Sequence, residues 1–287
     1  AADISTFIDD FGVMIHQALA EKGDKALLAR ALTLPAIPVI AQTQQEIDPA
    51  ALDAARTHLL KAIKSAHKSA LEKLYLANGS TGDFSITPAA MGRRALQNVT
   101  LALLTATNGI GCARRAKAHY DNADNMTDRI AALASLTDSN QPERDVVFAD
   151  FYQRYKDYPL VVDKWFTMQS MANREAIFDD FAQLRQHPDF NIKNPNRVRA
   201  LYSAFAINNP VKFHDPSGKG YAILRDVIVE LNAINPQIAS RLVTPLREWK
   251  RYTPALQANM KAALQTILET PKLSNDVFEL VSKCLKG

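Results

Sequence analysis

Metallohydrolases, nucleotide-binding proteins and enzymes with a serine or cysteine nucleophile each demand particular residues at particular spacings. This chain supplies the residue types without the spacings. Its six histidines are His16, His58, His67, His119, His187 and His214. None stands in a His-Glu-x-x-His helix, the spacing that sets two imidazoles on one face around zinc with a general base between them. His58 and His67 share one expected helix but face differently along it. The histidines therefore read as surface or partly buried side chains, and no residue is assigned as a metal ligand. Ser217-Gly218-Lys219-Gly220 has the composition of a phosphate loop, yet both the Gly-x-x-x-x-Gly-Lys-Ser/Thr spacing and a preceding strand are missing. No Gly-x-Ser-x-Gly elbow is present. Cys112 and Cys284 have no Cys-x-x-Cys partner, which argues against a zinc knot or a disulfide framework. They point to buried free thiols in a reducing compartment, so a cytoplasmic location is expected. On motifs alone the chain carries no catalytic residue.

The elements that must position any site are helical. Glycine and proline number only 10 and 14 in 287 residues, while 47% of residues are hydrophobic and 22% charged, a composition that excludes disorder, collagen and a coiled-coil rod. Asp24 before Lys25 caps one helix, and Gly23 is expected to close the helix before it. Asp48-Pro49 opens a long helix running to about Ala77, since aspartate accepts free first-turn amides and proline has none to lose. Leu52, Leu59, Ile63, Leu71 and Leu74 form its apolar stripe. Thr87-Pro88, Asn194-Pro195, Asn235-Pro236 and Thr253-Pro254 repeat the start signal, and Asn108-Gly109 supplies a stop. A rich loop is expected from Phe213 to Tyr221.

About a dozen helices and almost no strand-like alternation predict an all-α chain, a single domain over residues 1–287. Without a strict tetratricopeptide or ankyrin period, an irregular right-handed superhelix of helix pairs, HEAT- or armadillo-like and bowl-shaped, fits best. The nearly apolar stretches Pro35–Ala41 and Leu101–Leu104 are far too short to span a bilayer, so no membrane partner is expected. The net charge of +4 comes from interleaved residues, weak grounds for nucleic acid binding. Ala1-Ala2-Asp3-Ile4-Ser5 offers neither an initiating methionine nor a signal-peptide pattern, as expected of a piece of a longer protein.

Asn125-Met126-Thr127-Asp128, Val162-Asp163-Lys164-Trp165-Phe166, Asn194-Pro195-Asn196-Arg197-Val198-Arg199, Gly220-Tyr221, Asn235-Pro236-Gln237-Ile238-Ala239-Ser240-Arg241-Leu242 and Trp249-Lys250-Arg251-Tyr252 occur in that order. The run resembles the carboxy-terminal helical domain of bacterial aminopeptidase N, the alanyl aminopeptidase type of gluzincin zinc metallopeptidase, over nearly the full chain and most strongly from about Asn122 onward. The resemblance implies a four-domain parent that removes amino-terminal residues from peptides. Its zinc, general base and Gly-x-Met-Glu-Asn strand would lie in an upstream catalytic domain absent from this sequence. It implies that this domain caps the active site and encloses the substrate cavity, with that catalytic domain and peptide substrates as partners and no cofactor of its own. Alone, the chain is expected to be inactive.

Carried over residue by residue, the resemblance places Gln237, Arg241 and Arg199 on the substrate cavity. Four residues apart, Gln237 and Arg241 lie one above the other on a helix face, and a guanidinium fork suits a peptide carboxylate or carbonyl. The competing assignment pairs Arg199 and Arg241 with acids such as Asp226 or Glu230. Asp163, Lys164 and Trp165 read as architectural, and Phe148, Phe151 and Tyr155 as core. An autonomous helical-repeat module gripping protein or nucleic acid is the functional alternative.

Overall fold

A computed structural model describes residues 4–79 and 82–286; the reading of Ala1 to Asp3 lies outside them. Among the described residues there are seventeen α-helices. In chain order they are α1 (Ser5–Leu19), α2 (Lys25–Ala31), α3 (Ile37–Ala41), α4 (Pro49–Ala77), α5 (Pro88–Thr105), α6 (Ile110–Asp121), α7 (Met126–Leu136), α8 (Pro142–Tyr155), α9 (Pro159–Ser170), α10 (Ile177–Arg185), α11 (Pro195–Val198), α12 (Ala204–Asn208), α13 (Pro210–Phe213), α14 (Lys219–Asn232), α15 (Pro236–Leu242), α16 (Pro254–Leu268) and α17 (Asn275–Lys286). A π-helical turn, Arg199–Ser203, joins α11 to α12, and 3₁₀ turns occupy Thr244–Leu246 and Trp249–Arg251. The surplus over a dozen comes from short helices: α3, α11, α12 and α13 have four or five residues each, too few to show an apolar period. The all-α expectation holds. The sole β-pairing among the described residues is an isolated parallel bridge, Ile47 to Tyr252.

The expected starts are built as the sequence predicts. Asp24, Asp48, Thr87, Asn194 and Asn235 accept first-turn amides from Leu27, Ala51, Ala90, Asn196 and Ile238. Two expectations differ. Helix α1 closes before Gly23: Lys22 N donates to Gln17 O (3.0 Å), Glu21 N donates to Ala18 O (3.3 Å), and Glu21 carries the left-handed φ of 54°. A glutamate thus closes a Schellman motif that glycine usually closes. Thr253 makes no side-chain cap; its backbone N donates to Ile47 O at 3.3 Å.

The chain forms two compact units, Ala1–Ala36 with Ala54–Arg154, and Ile37–Asp53 with Tyr155–Gly287. In the first, Phe11, Ile15, Leu32, Ile63, Leu71, Leu74 and Leu96 are at most 1% exposed, and each such burial contributes about 1.5–3 kcal/mol. Helix α4 breaks from helical geometry at His67 (φ −117°), whose Nε2 lies 2.8 Å from Ile8 O of α1. The ring fits only because residue 12 is glycine: a Cβ there would stand 2.4 Å from His67 Cε1. The second unit has an aromatic core in which Phe181, Tyr202, Phe205, Phe213 and Tyr221 meet at centroid distances of 5.1–5.9 Å, mostly edge-to-face.

Candidate functional site

Two neighbouring helical segments of the second unit build a groove. Proline at the first helical position starts both α9 and α11, and Asn194 Oδ1 holds the α11 start by accepting from Asn196 N and Arg197 N at 3.0 and 3.4 Å. Leu160, Asp163 and Thr167 fall on one face of α9. Opposite them stand Asn196, Arg199, Ser203 and Asn208, and together they line an open cavity of ≈ 440 Å³. Leu160 and Ile207 keep 70% and 51% of their surface exposed, so the groove offers apolar walls beside polar groups.

Three side chains define its chemistry. Arg199 is exposed, and its Nη1 donates to Asn196 Oδ1 at 3.2 Å. Arg197 is 5% exposed; its Nη1 lies 3.1 Å from Asp163 Oδ1 and its guanidinium covers the Phe166 ring at 4.7 Å. That ion pair is close but poorly aligned, leaving Asp163 Oδ1 and Arg197 Nε and Nη1 without a well-directed hydrogen bond among the described residues. Burial pushes the Asp163 carboxyl above its usual range, outweighing the guanidinium beside it. Burial, and secondarily Arg197, holds His187 below its ordinary value in spite of Asp189.

The helix between Pro195 and Asn208 is irregular at the residue that matters. Ala204 N–H reaches back to Arg199 O, the five-residue step of a π-turn. The Ala200 carbonyl accepts instead from Thr167 Oγ1 at 3.2 Å and Ser170 Oγ at 3.4 Å, both on α9. At the far end Asn209 Nδ2 donates to Ser170 O and Ala172 O. Nothing in a single-chain pattern signals this turn, because its partners lie some thirty residues away in sequence.

Gln237 and Arg241 sit together on the exposed face of α15, whose other face buries Ile238, Ala239 and Leu242. Arg241 has no ion-pair partner among the described residues, and the acids proposed as alternatives are taken: Asp226 by Arg225 at 2.7 Å and Glu230 by Arg185 at 2.7 Å. The competing salt-bridge assignment for Arg199 and Arg241 is thus not what the side chains do. Gln237 and Arg241 are not among the residues that line the groove of Arg199.

Other expectations shift. His119 and His214 are fully buried, at 6% exposure each, rather than surface or partly buried. His214 Nδ1 lies 2.8 Å from Tyr221 Oη, its ring stacks on Tyr252 at 4.3 Å, and burial pushes its pKa down to about 3. His119 Nδ1 lies 2.9 Å from Tyr75 Oη. Cys284 is buried as expected, whereas Cys112 is half-exposed, with Lys64 Nζ at 3.3 Å. Burial raises the Cys112 thiol pKa, but bonds from Thr107 and Lys64 outweigh it and leave the thiol lowered. Asp163 and Trp165 are architectural; Lys164 is exposed and ties no helices among the described residues. Lys219, Gly220 and Tyr221 belong to α14 rather than to a loop. Gly220 is there for packing, since a Cβ would meet Phe213 O at 2.2 Å. Among the described residues no three His, Cys, Asp or Glu side chains converge as a metal site, and no helix is long and apolar enough to cross a membrane.

Comparison with known proteins gives a consistent picture. A family described as a domain of unknown function with ARM repeats, DUF3458_C, matches residues 2–286. Aminopeptidase N of Caulobacter vibrioides is 41% identical over 279 residues, 97% of this chain and 32% of that protein. Aminopeptidase N of Haemophilus influenzae is 37% identical over 264 residues, 92% of this chain and 30% of that protein. A crystal structure of Legionella pneumophila aminopeptidase A in complex with aspartic acid superposes with a TM-score of 0.86 at 27% identity, covering 99% of this chain and 36% of that one. The chain thus spans about a third of the length of the relatives it matches.

Proposed function

The chain belongs to the DUF3458_C family of ARM-repeat domains, and on that premise we propose that it is the carboxy-terminal domain of a cytoplasmic zinc aminopeptidase that removes amino-terminal residues from peptides. The observation that carries this reading is coverage: almost the whole chain aligns with about a third of each aminopeptidase N. In this reading residues 1–287 form one right-handed, bowl-like superhelix over the active site, and Gln237, Arg241 and Arg199 face the enclosed cavity. The upstream catalytic domain is its partner and peptides are its ligands.

Among the described residues the two buried imidazoles are held by tyrosines, His214 by Tyr221 and His119 by Tyr75. The metal that polarises the scissile carbonyl would be held elsewhere in the parent. The contribution of this chain is to bind and orient. An exposed guanidinium with no ion-pair partner among the described residues, as at Arg241, is free to take two acceptor oxygens of a peptide tail. Aminopeptidase alignments over more than nine-tenths of the chain disfavour an autonomous binding module.

In the full-length protein, Arg241→Ala should lower kcat/KM for a tripeptide roughly ten- to hundredfold, the loss of one charge-assisted hydrogen bond. An amino-acid amide, which lacks the tail, should suffer much less, and the melting temperature should stay put. Equal loss on both substrates together with a lowered melting temperature would refute the contact. The chain without its upstream domains should turn over neither substrate.

A further inference from the structure

The π-turn at Arg199–Ser203 adds one residue to a helical turn, which rotates everything before it by roughly 100° relative to everything after it. Beyond the turn, Phe205 is 1% exposed and packs against Phe181 and Phe213 at 5.1 and 5.9 Å. Before it, Arg197 is fixed by Asp163 and the Phe166 ring. Arg199 stands at the step between these two anchored stretches, and the extra residue is what decides where its guanidinium points.

The step has a cost, since the Ala200 carbonyl loses its helical donor when Ala204 N–H goes to Arg199 O. An acceptor left unpaired in so dry a place would pull the helix back toward regular geometry. Thr167 prevents this: its hydroxyl donates to Ala200 O at 3.2 Å. The Ser170 hydroxyl also reaches that carbonyl, at 3.4 Å, but is shared with Thr167 O at 2.9 Å, so Thr167 is the main donor. We infer that Thr167 is a positioning residue for Arg199, holding open the π-turn that presents the guanidinium to the groove. The inference rests on the reading of Arg199 as a peptide contact and adds to it the α9 hydroxyl that sets it in place.

The test compares Thr167→Val, Thr167→Ser and Arg199→Ala in the full-length protein, with a tripeptide and an amino-acid amide as substrates and a crystal structure of Thr167→Val. Valine keeps the shape and removes the donor; serine keeps the donor. Thr167→Val should raise KM for the tripeptide roughly three- to tenfold with little change in kcat, the scale of one hydrogen bond. Thr167→Ser should restore KM, and adding Thr167→Val to Arg199→Ala should change nothing further. In the crystal the Ala204 amide should return to Ala200 O. If Arg199→Ala shifts the tripeptide KM while Thr167→Val does not, the positioning role is refuted and the reading of Arg199 stands. If Arg199→Ala leaves the tripeptide-to-amide ratio unaltered, that reading fails, and the crystal alone decides whether Thr167 holds the turn. A π-turn that persists in Thr167→Val overturns the inference in either case.

Discussion

Lowering the pH should unfold the second unit through His214. Its imidazole is buried among Phe213, Tyr221 and Tyr252 with no carboxylate paired to it among the described residues, and burial alone pushes its pKa from 6.5 to about 3. The folded state therefore resists the proton that the unfolded chain accepts. Stability from this group is complete above about pH 6.5, is lost as the pH falls below that, and stops falling near pH 3. Each pH unit inside the window costs about 1.4 kcal/mol per proton, so the full span amounts to roughly 5 kcal/mol, and the step from about pH 5.5 to about 4.5 to nearly one proton. The assay is urea unfolding at a series of pH values, followed by tryptophan fluorescence; both tryptophans, Trp165 and Trp249, lie in this unit. His187 is also held low by burial and adds to the slope. The informative quantity is consequently the difference between the wild-type slope and that of His214→Gln, whose amide can still bond to Tyr221. The wild type should lose about 1.4 kcal/mol more per pH unit in that interval. Parallel slopes would mean that His214 is protonated in the folded chain near its ordinary value, and the burial account of this cluster would be wrong.

Three other perturbations follow from the packing. Asp163→Ala strands the buried Arg197 and should cost about 3 kcal/mol, the lower end for a broken buried pair because the guanidinium keeps the Phe166 face; Asp163→Leu with Arg197→Met should recover most of it in the same urea titration. Gly220→Ala places a methyl against the Phe213 carbonyl and should destabilise by at least about 2 kcal/mol, read as a lowered melting temperature. Iodoacetamide should modify Cys112 well before buried Cys284 at pH 7, and Lys64→Met should slow that reaction by removing the cation that favours the thiolate; equal rates in both proteins would exclude the Lys64 effect.

Helix starts were legible because their causes are local. An Asx or Thr side chain followed by proline satisfies and withholds amides within four residues, and of the five such dipeptides read as helix starts, four make the expected side-chain cap. Thr253 makes none, although its backbone is as extended as that of Thr87. Distance in sequence hid the π-turn, the Arg197–Asp163 pair and the burial of His214, each of which depends on residues from another helix. Glu21 shows a subtler limit: the sequence contains a better left-handed residue at Gly23, but the hydrogen-bonding register of α1 puts the turn two residues earlier. Gln237 and Arg241 were found by resemblance and share a face by simple periodicity.

The path also bears on synthesis. Residues 37–53 belong with the carboxy-terminal stretch: Ile47 N donates to Arg251 O at 2.7 Å, and Arg251 Nη2 donates to the carbonyls of Ala41, Gln42 and Gln44. A ribosome adding about 5–20 residues per second needs roughly 10–40 s to travel from one partner to the other. In the second half of that interval residues 54–154 are already complete, while Ile37 and Ile40 still trail from a nascent chain that has not yet reached Arg251. A stop codon before Arg251 would make that wait permanent, leaving the apolar segment open to chaperones and proteases however well the first unit had folded.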